Sequence, residues 1–227
     1  MGRLTVVPTP IGNLGDMTPR ALEVLRAADW VLAEDTRTTG NLLKIHEIQK
    51  PLKAFHLHNE HRTVDGWIQE MQRGKHIAIC SDAGTPGISD PGYLLVRASI
   101  EAGIEVDCLP GATAFVPALV MSGLPCDRFI YEGFLPPKKG RTKRIHAWTD
   151  EERTIVCYES PHRLVRLLTE IAASCGAERP LAVVREISKL HQEIIRGSAQ
   201  EVLFHFQTQE PRGEIVVVIG ARNPKKD

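Results

Sequence analysis

No apolar run in this 227-residue chain approaches the roughly 20 residues that a membrane-spanning helix needs. The start, Met1-Gly2-Arg3-Leu4-Thr5, leads straight into a strand-like run without the apolar region of a signal peptide, so no secretory leader is expected. Net charge is missing as well. The 28 Lys and Arg offset 28 Asp and Glu, which argues against coating nucleic acid by bulk charge and leaves room for a local basic patch. The five cysteines, Cys80, Cys108, Cys126, Cys157 and Cys175, form no Cys-x-x-Cys pair and are odd in number. They are expected to be reduced, mostly buried thiols of a cytosolic protein. Cys80, Cys108 and Cys157 lie in strand-like runs, which favours the core over metal or redox chemistry. There is no G-x-G-x-x-G and no G-x-x-x-x-G-K-[ST], so neither an ordinary dinucleotide site nor a P-loop is supported. Tandem repeats and low-complexity tracts are absent too.

What is present alternates. Strand-like runs occur at 4–7, 30–33, 76–81, 106–109, 129–132, 154–158, 181–184 and 215–219. Helical signals lie between many of them. Thr18-Pro19 offers an N-cap and a first-turn proline before Ala21, Leu22, Leu25 and Ala28. Ser160-Pro161 repeats the signal before Leu164, Leu167, Leu168 and Ile171, and Ser198-Ala199-Gln200-Glu201 reads as a capping box. Thr63 is a candidate cap for 67–72. Alternating strands and helices predict an α/β architecture with largely parallel sheets. Gly, Pro and Asp cluster in Ser122–Asp127, which places a domain boundary there: residues 1–121 and 122–227, each of workable domain size. The tail 223–227 is expected to fray.

The loop Ser81-Asp82-Ala83-Gly84-Thr85-Pro86-Gly87-Ile88-Ser89-Asp90-Pro91-Gly92 is the most informative stretch. It begins where a buried strand ends, and open α/β sheets bind ligands outside the carboxyl ends of their strands. Its glycines let a ligand approach the backbone. Five other segments have both a functional and a plain reading. Pro8–Asp16 follows the first strand, as a nucleotide loop would, or is a stiff connection. Glu34-Asp35-Thr36-Arg37 suits a polar site or an N-cap with first-turn charges. Pro110–Ala114 offers a flat backbone surface, or a glycine turn before the helix 115–121. Lys138, Lys139, Arg141, Lys143 and Arg144 would attract a polyanion, or form a solvated loop. Arg185–Glu193 holds Lys189 among acids, at a cleft edge or in an exposed connector. His56 and His58 are expected on one side of a strand, with His61 near, but a closed zinc site needs four ligands and no second His/Cys cluster presents itself. A polar rim for substrate or cofactor is the better reading.

Taken in order, Pro8–Leu14, Glu34–Arg37, His56-x-x-Asn59-Glu60, Ser81–Gly92, Pro110–Ala114, Gly133–Pro136, Tyr158–Arg163 and Arg185–Glu193 form one set. The chain resembles the tetrapyrrole (corrin/porphyrin) methylase family from about residue 4 to residue 219, and within it the group that methylates small-subunit ribosomal RNA. His58 stays unassigned in that pattern. The resemblance implies two αβα domains with mostly parallel mixed sheets, S-adenosyl-L-methionine in the cleft between them, and a homodimer. It implies methylation of the ribose 2′-hydroxyl of a cytidine in the decoding region of 16S rRNA, with the small ribosomal subunit as partner and no membrane or metal. By the same resemblance Pro8 and Pro10 would meet the cofactor, and Asp82, Ala83 and Thr85 would lie along its methionine part. Thr113 and Ala114 would contact it beside the Pro-Gly turn, and Tyr158, Val184 and Gly213 would approach its adenosine. Longer members carry an extra C-terminal helical region, whereas this sequence stops soon after its last strand-like run.

A ribose hydroxyl is a poor nucleophile at neutral pH, so a base is expected nearby. Asp35, Glu60 and Lys189 are candidates, with Glu34 and Arg37 positioning the ribose-phosphate. Two other readings stay open: a methylase of the same fold acting on a tetrapyrrole or other small molecule, and a non-catalytic RNA-binding relative.

Overall fold

The computed structural model describes residues 2–222; the tail 223–227, expected to fray, lies outside the described residues. The chain divides into two compact units, Met1–Thr113 and Ala114–Asp227. The division falls before the expected hinge at 122–127. The reason is the helix Phe115–Ser122, which packs on the sheet of the second unit.

In the first unit the strands are β1 (Arg3–Val6), β2 (Trp30–Ala33), β3 (Leu52–Ala54), β4 (His76–Cys80) and β5 (Glu105–Cys108). They pair in the order β3-β2-β4-β1-β5, all parallel. Helices α1 (Pro19–Ala27), α2 (Thr36–Ile45), α3 (Glu60–Gln72) and α4 (Tyr93–Glu101) connect them. A parallel sheet needs cover on both faces, and β4 shows how the sequence provides it. Ile77 and Ile79 pack with Leu4, Val6, Val64, Met71 and Leu95 on the side of α3 and α4. Ala78 and Cys80 pack with Ala21, Leu25, Val31 and Leu43 on the side of α1 and α2. The Thr18 side chain accepts the Ala21 N–H, as its place before Pro19 predicts.

The second unit holds α5 (Phe115–Ser122), β6 (Phe129–Phe134), α6 (Arg141–Ala147), β7 (Thr154–Glu159), α7 (Pro161–Cys175), β8 (Pro180–Arg185), β9 (Glu193–Ser198), α8 (Ala199–Thr208) and β10 (Ile215–Ile219). The order is β6-β7-β10-β8-β9. Only β6 and β7 run parallel; the other three pairs are antiparallel. Leu164, Leu167, Leu168 and Ile171 of α7 and Val202, Leu203 and Phe206 of α8 form the core on one face. Ser198 closes the capping box with Glu201.

The structure departs from the sequence pattern at several points. β3 and β9 leave no β-rich run in the sequence, because one is three residues with an exposed Lys53 and the other is a half-polar edge strand. β3 ends at Ala54, so His56 and His58 stand in the turn after it, not on a strand. Asn59, not Thr63, stands at the N-terminus of α3; Thr63 lies inside the helix and donates its hydroxyl to the Asn59 carbonyl. Cys80 and Cys157 are buried, but Cys108 and Cys126 are exposed and Cys175 is half-buried. No described helix is long and apolar enough to cross a membrane.

Candidate active site

Because every strand of the first sheet runs the same way, the loops after β1, β2, β3, β4 and β5 emerge at one edge. β1 and β4 are neighbours, yet the chain leaves β1 toward β2 and leaves β4 toward β5, on opposite sides. Such a switch point is where open α/β sheets form their crevice. The two loops are sewn together there. Thr9 N–H donates to the Gly84 carbonyl and Gly84 N–H to the Thr9 carbonyl, both at 2.9 Å. The Thr9 hydroxyl donates to the Ser81 carbonyl (3.1 Å), and the Thr85 hydroxyl to the Ala112 carbonyl (3.0 Å). Gly84 has φ +86°, a conformation that L side chains rarely adopt, and a Cβ on Gly111 would lie 2.5 Å from Pro8 Cβ. Glycine is therefore required where the β4 loop folds and where the β5 loop touches the β1 loop.

Acids gather beside this knot. The register Ala33↔Cys80 brings the ends of β2 and β4 level. Asp82 N–H donates to Glu34 Oε2 (3.3 Å), and Asp82 Oδ1 accepts Asp35 N–H (3.0 Å). Burial pushes the Glu34 carboxyl up against the pull of the Asp82 N–H, and the Asp82 charge adds to the rise. Burial likewise raises Asp82, opposed by the Asp35 N–H and assisted by the Asp35 charge. Asp35 goes the other way: the Arg37 guanidinium, with Nη2 2.6 Å from Oδ2, holds it at about 2. Asp35 also caps α2 by accepting Arg37 N–H. Two adjoining carboxyls pushed upward at a sheet switch point are what a functional site concentrates. A cavity of about 230 Å³ opens alongside, lined among others by Thr9, Pro10, Leu14, Thr39, Leu42 and Asp82.

Glu34, Asp35, Arg37 and Asp82 thus converge, with Ala83 exposed beside them and Thr85 tied to the β5 loop. Pro8 is buried against Gly111 and Pro10 lines the cavity. Glu60 is buried at the start of α3. Thr113 ends the first unit and Ala114 begins the second. Within the second unit, Lys189 Nζ stands 3.0 Å from Glu186 Oε1 and 3.2 Å from Glu214 Oε2. Burial alone would lower the ammonium, but the two acids outweigh it and hold the lysine charged. Gly213 makes room for that cluster, since a Cβ there would meet Glu186 Oε1 at 2.3 Å. Val184 is buried within β8. Tyr158 stands in a run of aromatic rings, 5.6 Å from Tyr131 and 5.4 Å from Phe134. That cluster, which Phe115 and Phe129 extend, had no signal beyond scattered aromatics in the sequence.

The basic run is divided. Lys138, Lys139 and Lys143 are exposed, and Arg144 pairs with Glu132. Arg141 opens α6 and is wholly buried between Glu159 (2.9 Å) and Glu170 (2.7 Å). Among the described residues no group of three or more His, Cys, Asp or Glu is placed to hold a metal.

A family model described as Tetrapyrrole (Corrin/Porphyrin) Methylases matches residues 3–203. The chain belongs to that family. Among similar members, the ribosomal RNA small subunit methyltransferase I of Synechocystis is 49% identical over 99% of this chain and 81% of its own length. The protein of the same name from Thermotoga maritima is 46% identical over 98% of this chain and 100% of its own. Solved structures agree in fold. The uroporphyrin-III C-methyl transferase of Thermus thermophilus complexed with S-adenyl homocysteine gives a TM-score of 0.67 at 18% identity, covering 96% of this chain and 97% of that one. The methyltransferase CobJ gives 0.71 at 20%, covering 97% and 95%.

Proposed function

We propose that this methylase family member transfers the methyl group of S-adenosyl-L-methionine to the ribose 2′-hydroxyl of a cytidine in the decoding region of 16S rRNA, working as a homodimer on the small ribosomal subunit. The observation that carries this reading is the near full-length identity of 49% to a relative named for small-subunit rRNA methylation.

The residues at the β1–β4 switch point suit the methyl donor. Gly84 and Gly111 leave room for backbone to approach backbone, and Asp82 stands within a loop rich in small residues. We assign Pro8, Pro10, Asp82, Ala83, Thr85, Thr113 and Ala114 to cofactor binding, with Tyr158, Val184 and Gly213 of the second unit toward the adenosine. The donor supplies an electrophilic methyl on a sulfonium, so the protein's own tasks are alignment, exclusion of water and removal of the hydroxyl proton. Glu34 and Arg37 are assigned to positioning the ribose-phosphate. Asp35 and Lys189 are poor bases as they stand, one held at about 2 by Arg37 and the other held charged by two acids.

Transfer of labelled methyl to purified small subunits and to naked rRNA, with the product mapped by mass spectrometry, tests the reading. A 2′-O-methylcytidine in the decoding region supports it. Cofactor binding without RNA methylation points instead to a small-molecule substrate, and no cofactor binding to an RNA-binding protein.

A further inference from the structure

The turn between β3 and α3 carries two histidines, and His56 is held unlike His58. Asn59 Oδ1 accepts His56 N–H (2.8 Å), and Asn59 Nδ2 donates to the Ala54 carbonyl (2.9 Å). The Asn59 and Glu60 N–H groups both return to the His56 carbonyl at 2.9 Å. One asparagine thus clamps the turn at both ends, which explains the His56-x-x-Asn59-Glu60 spacing in physical terms. Phe55 N–H donates to the Ala33 carbonyl at 2.7 Å, so the clamped turn is fastened to β2 at the residue before Glu34. His56 therefore stands at the same sheet edge as Glu34 and Asp82, and its charge acts on the Glu34 carboxyl.

Its side chain is placed but not satisfied. His56 Nδ1 is buried with no hydrogen-bond partner, the ring stands edge-on to His58 at 5.9 Å, and the residue as a whole is half-buried. His76, by contrast, pairs its ring with the Thr5 hydroxyl at 2.9 Å. His46 and His205 also have a buried, unpaired nitrogen, but one ends α2 and the other lies within α8, away from the strand ends.

We propose that His56 is the general base that takes the proton of the ribose 2′-hydroxyl, with the Glu34 carboxylate favouring the imidazolium that results. The assignment rests on the reading under Proposed function. The hydroxyl O–H bond breaks and its proton goes to imidazole Nε2. The oxygen forms its bond to the methyl carbon as the sulfonium–methyl bond breaks, and the bonding pair stays on sulfur as a neutral thioether. The imidazolium then returns the proton to water. Imidazole ordinarily titrates nearest neutrality of all side chains, which suits it to this task.

The test compares His56→Gln and His56→Ala with His205→Gln, whose own unpaired ring nitrogen lies within α8. Single-turnover methyl transfer to the rRNA substrate should fall about 10²–10⁴-fold in both His56 variants and stay within about threefold in the His205 variant. Affinities for S-adenosylhomocysteine and for RNA should hardly change, and added imidazole should restore part of the rate in the alanine variant. In the wild type, the His56 ring ¹⁵N resonances should move when a decoding-region oligonucleotide and S-adenosylhomocysteine are added, and move less with a 2′-deoxy target nucleotide. A His56→Gln rate within about threefold of wild type overturns the assignment. So do resonances indifferent to the 2′-oxygen, or a loss that RNA affinity fully explains. A wild type that methylates no RNA overturns this and the underlying reading together; an active wild type with an equally active His56→Gln overturns this alone.

Discussion

Replacing Glu159 by Gln removes the buried carboxylate that faces the buried guanidinium of Arg141 in the second unit. The Glu159 side chain is fully buried. It receives Arg141 Nη1 at 2.9 Å, Arg163 Nη2 at 2.8 Å and the Ser160 N–H at 2.8 Å. Arg141 is 1% exposed in its side chain and has one other acid, Glu170, at 2.7 Å, while its Nη2 has no partner. Burial by itself would lower that guanidinium, but Glu170 and Glu159 keep it raised and charged. Removing the Glu159 charge leaves a cation in the interior with half its compensation, and breaking a buried pair in this way costs about 3–5 kcal/mol. Arg141→Met is the gentler change. Glu159 keeps Arg163 and Ser160, Glu170 keeps Arg166 at 2.9 Å, and an unpaired N–H disappears, so the loss should be about 1–2 kcal/mol, near that of one charged hydrogen bond. At roughly 2–4 °C per kcal/mol for a chain of this size, Glu159→Gln should lower Tm by roughly 6–20 °C, well below Arg141→Met. Urea titration of both variants measures the order directly. A Glu159→Gln protein within about 1 kcal/mol of wild type, or an Arg141→Met protein less stable than it, would refute the reasoning.

Three further outcomes follow from the same structure. Neutralising Lys138, Lys139 and Lys143 together should leave stability unchanged and flatten the dependence of log K for RNA on log[salt] by about 2, if all three meet phosphates of single-stranded RNA; an unaltered slope removes them from the RNA surface. Glu34→Gln should stabilise the protein at pH 7, because a carboxyl raised by burial costs stability once ionised. That advantage should persist above the raised value and vanish as pH falls below the ordinary glutamate range, and thermal melts from pH 3 to 8 showing no convergence at the acid end would count against it. Thr39→Val should be neutral or slightly stabilising in a urea titration, since the buried Thr39 hydroxyl has no partner to lose; a loss above about 1 kcal/mol would mean that the hydroxyl is bonded in solution.

Local signals were legible because their causes span only a few residues. The Thr18 cap, the Ser198 capping box and the apolar stripe of α7 depend on neighbours within one or two turns, and all three stand in the structure. Eight of the ten strands among the described residues announced themselves through β-rich runs; β3 and β9 did not, being a short edge and a polar one. The direction of a strand is written nowhere in its own residues. Ile215–Ile219 reads the same whichever way it runs, and its antiparallel pairing with both β7 and β8 comes from the path of the connecting chain.

The same division holds for the site. From the sequence alone one could name the loops, their glycines and their acids, and the family that orders them so, because composition at strand ends is a property of short segments. Which charges remain available was decided only by folding. Arg141 looks like one more cation in a basic run, and becomes interior because Glu159 and Glu170 approach it from 18 and 29 residues away. Glu34 and Asp82, 48 residues apart in sequence, share a field because β2 and β4 lie side by side, and His56 joins them because β3 pairs with β2 and Phe55 N–H bonds to the Ala33 carbonyl. Electrostatic work depends on distance and burial, and neither exists until the chain has brought remote segments together.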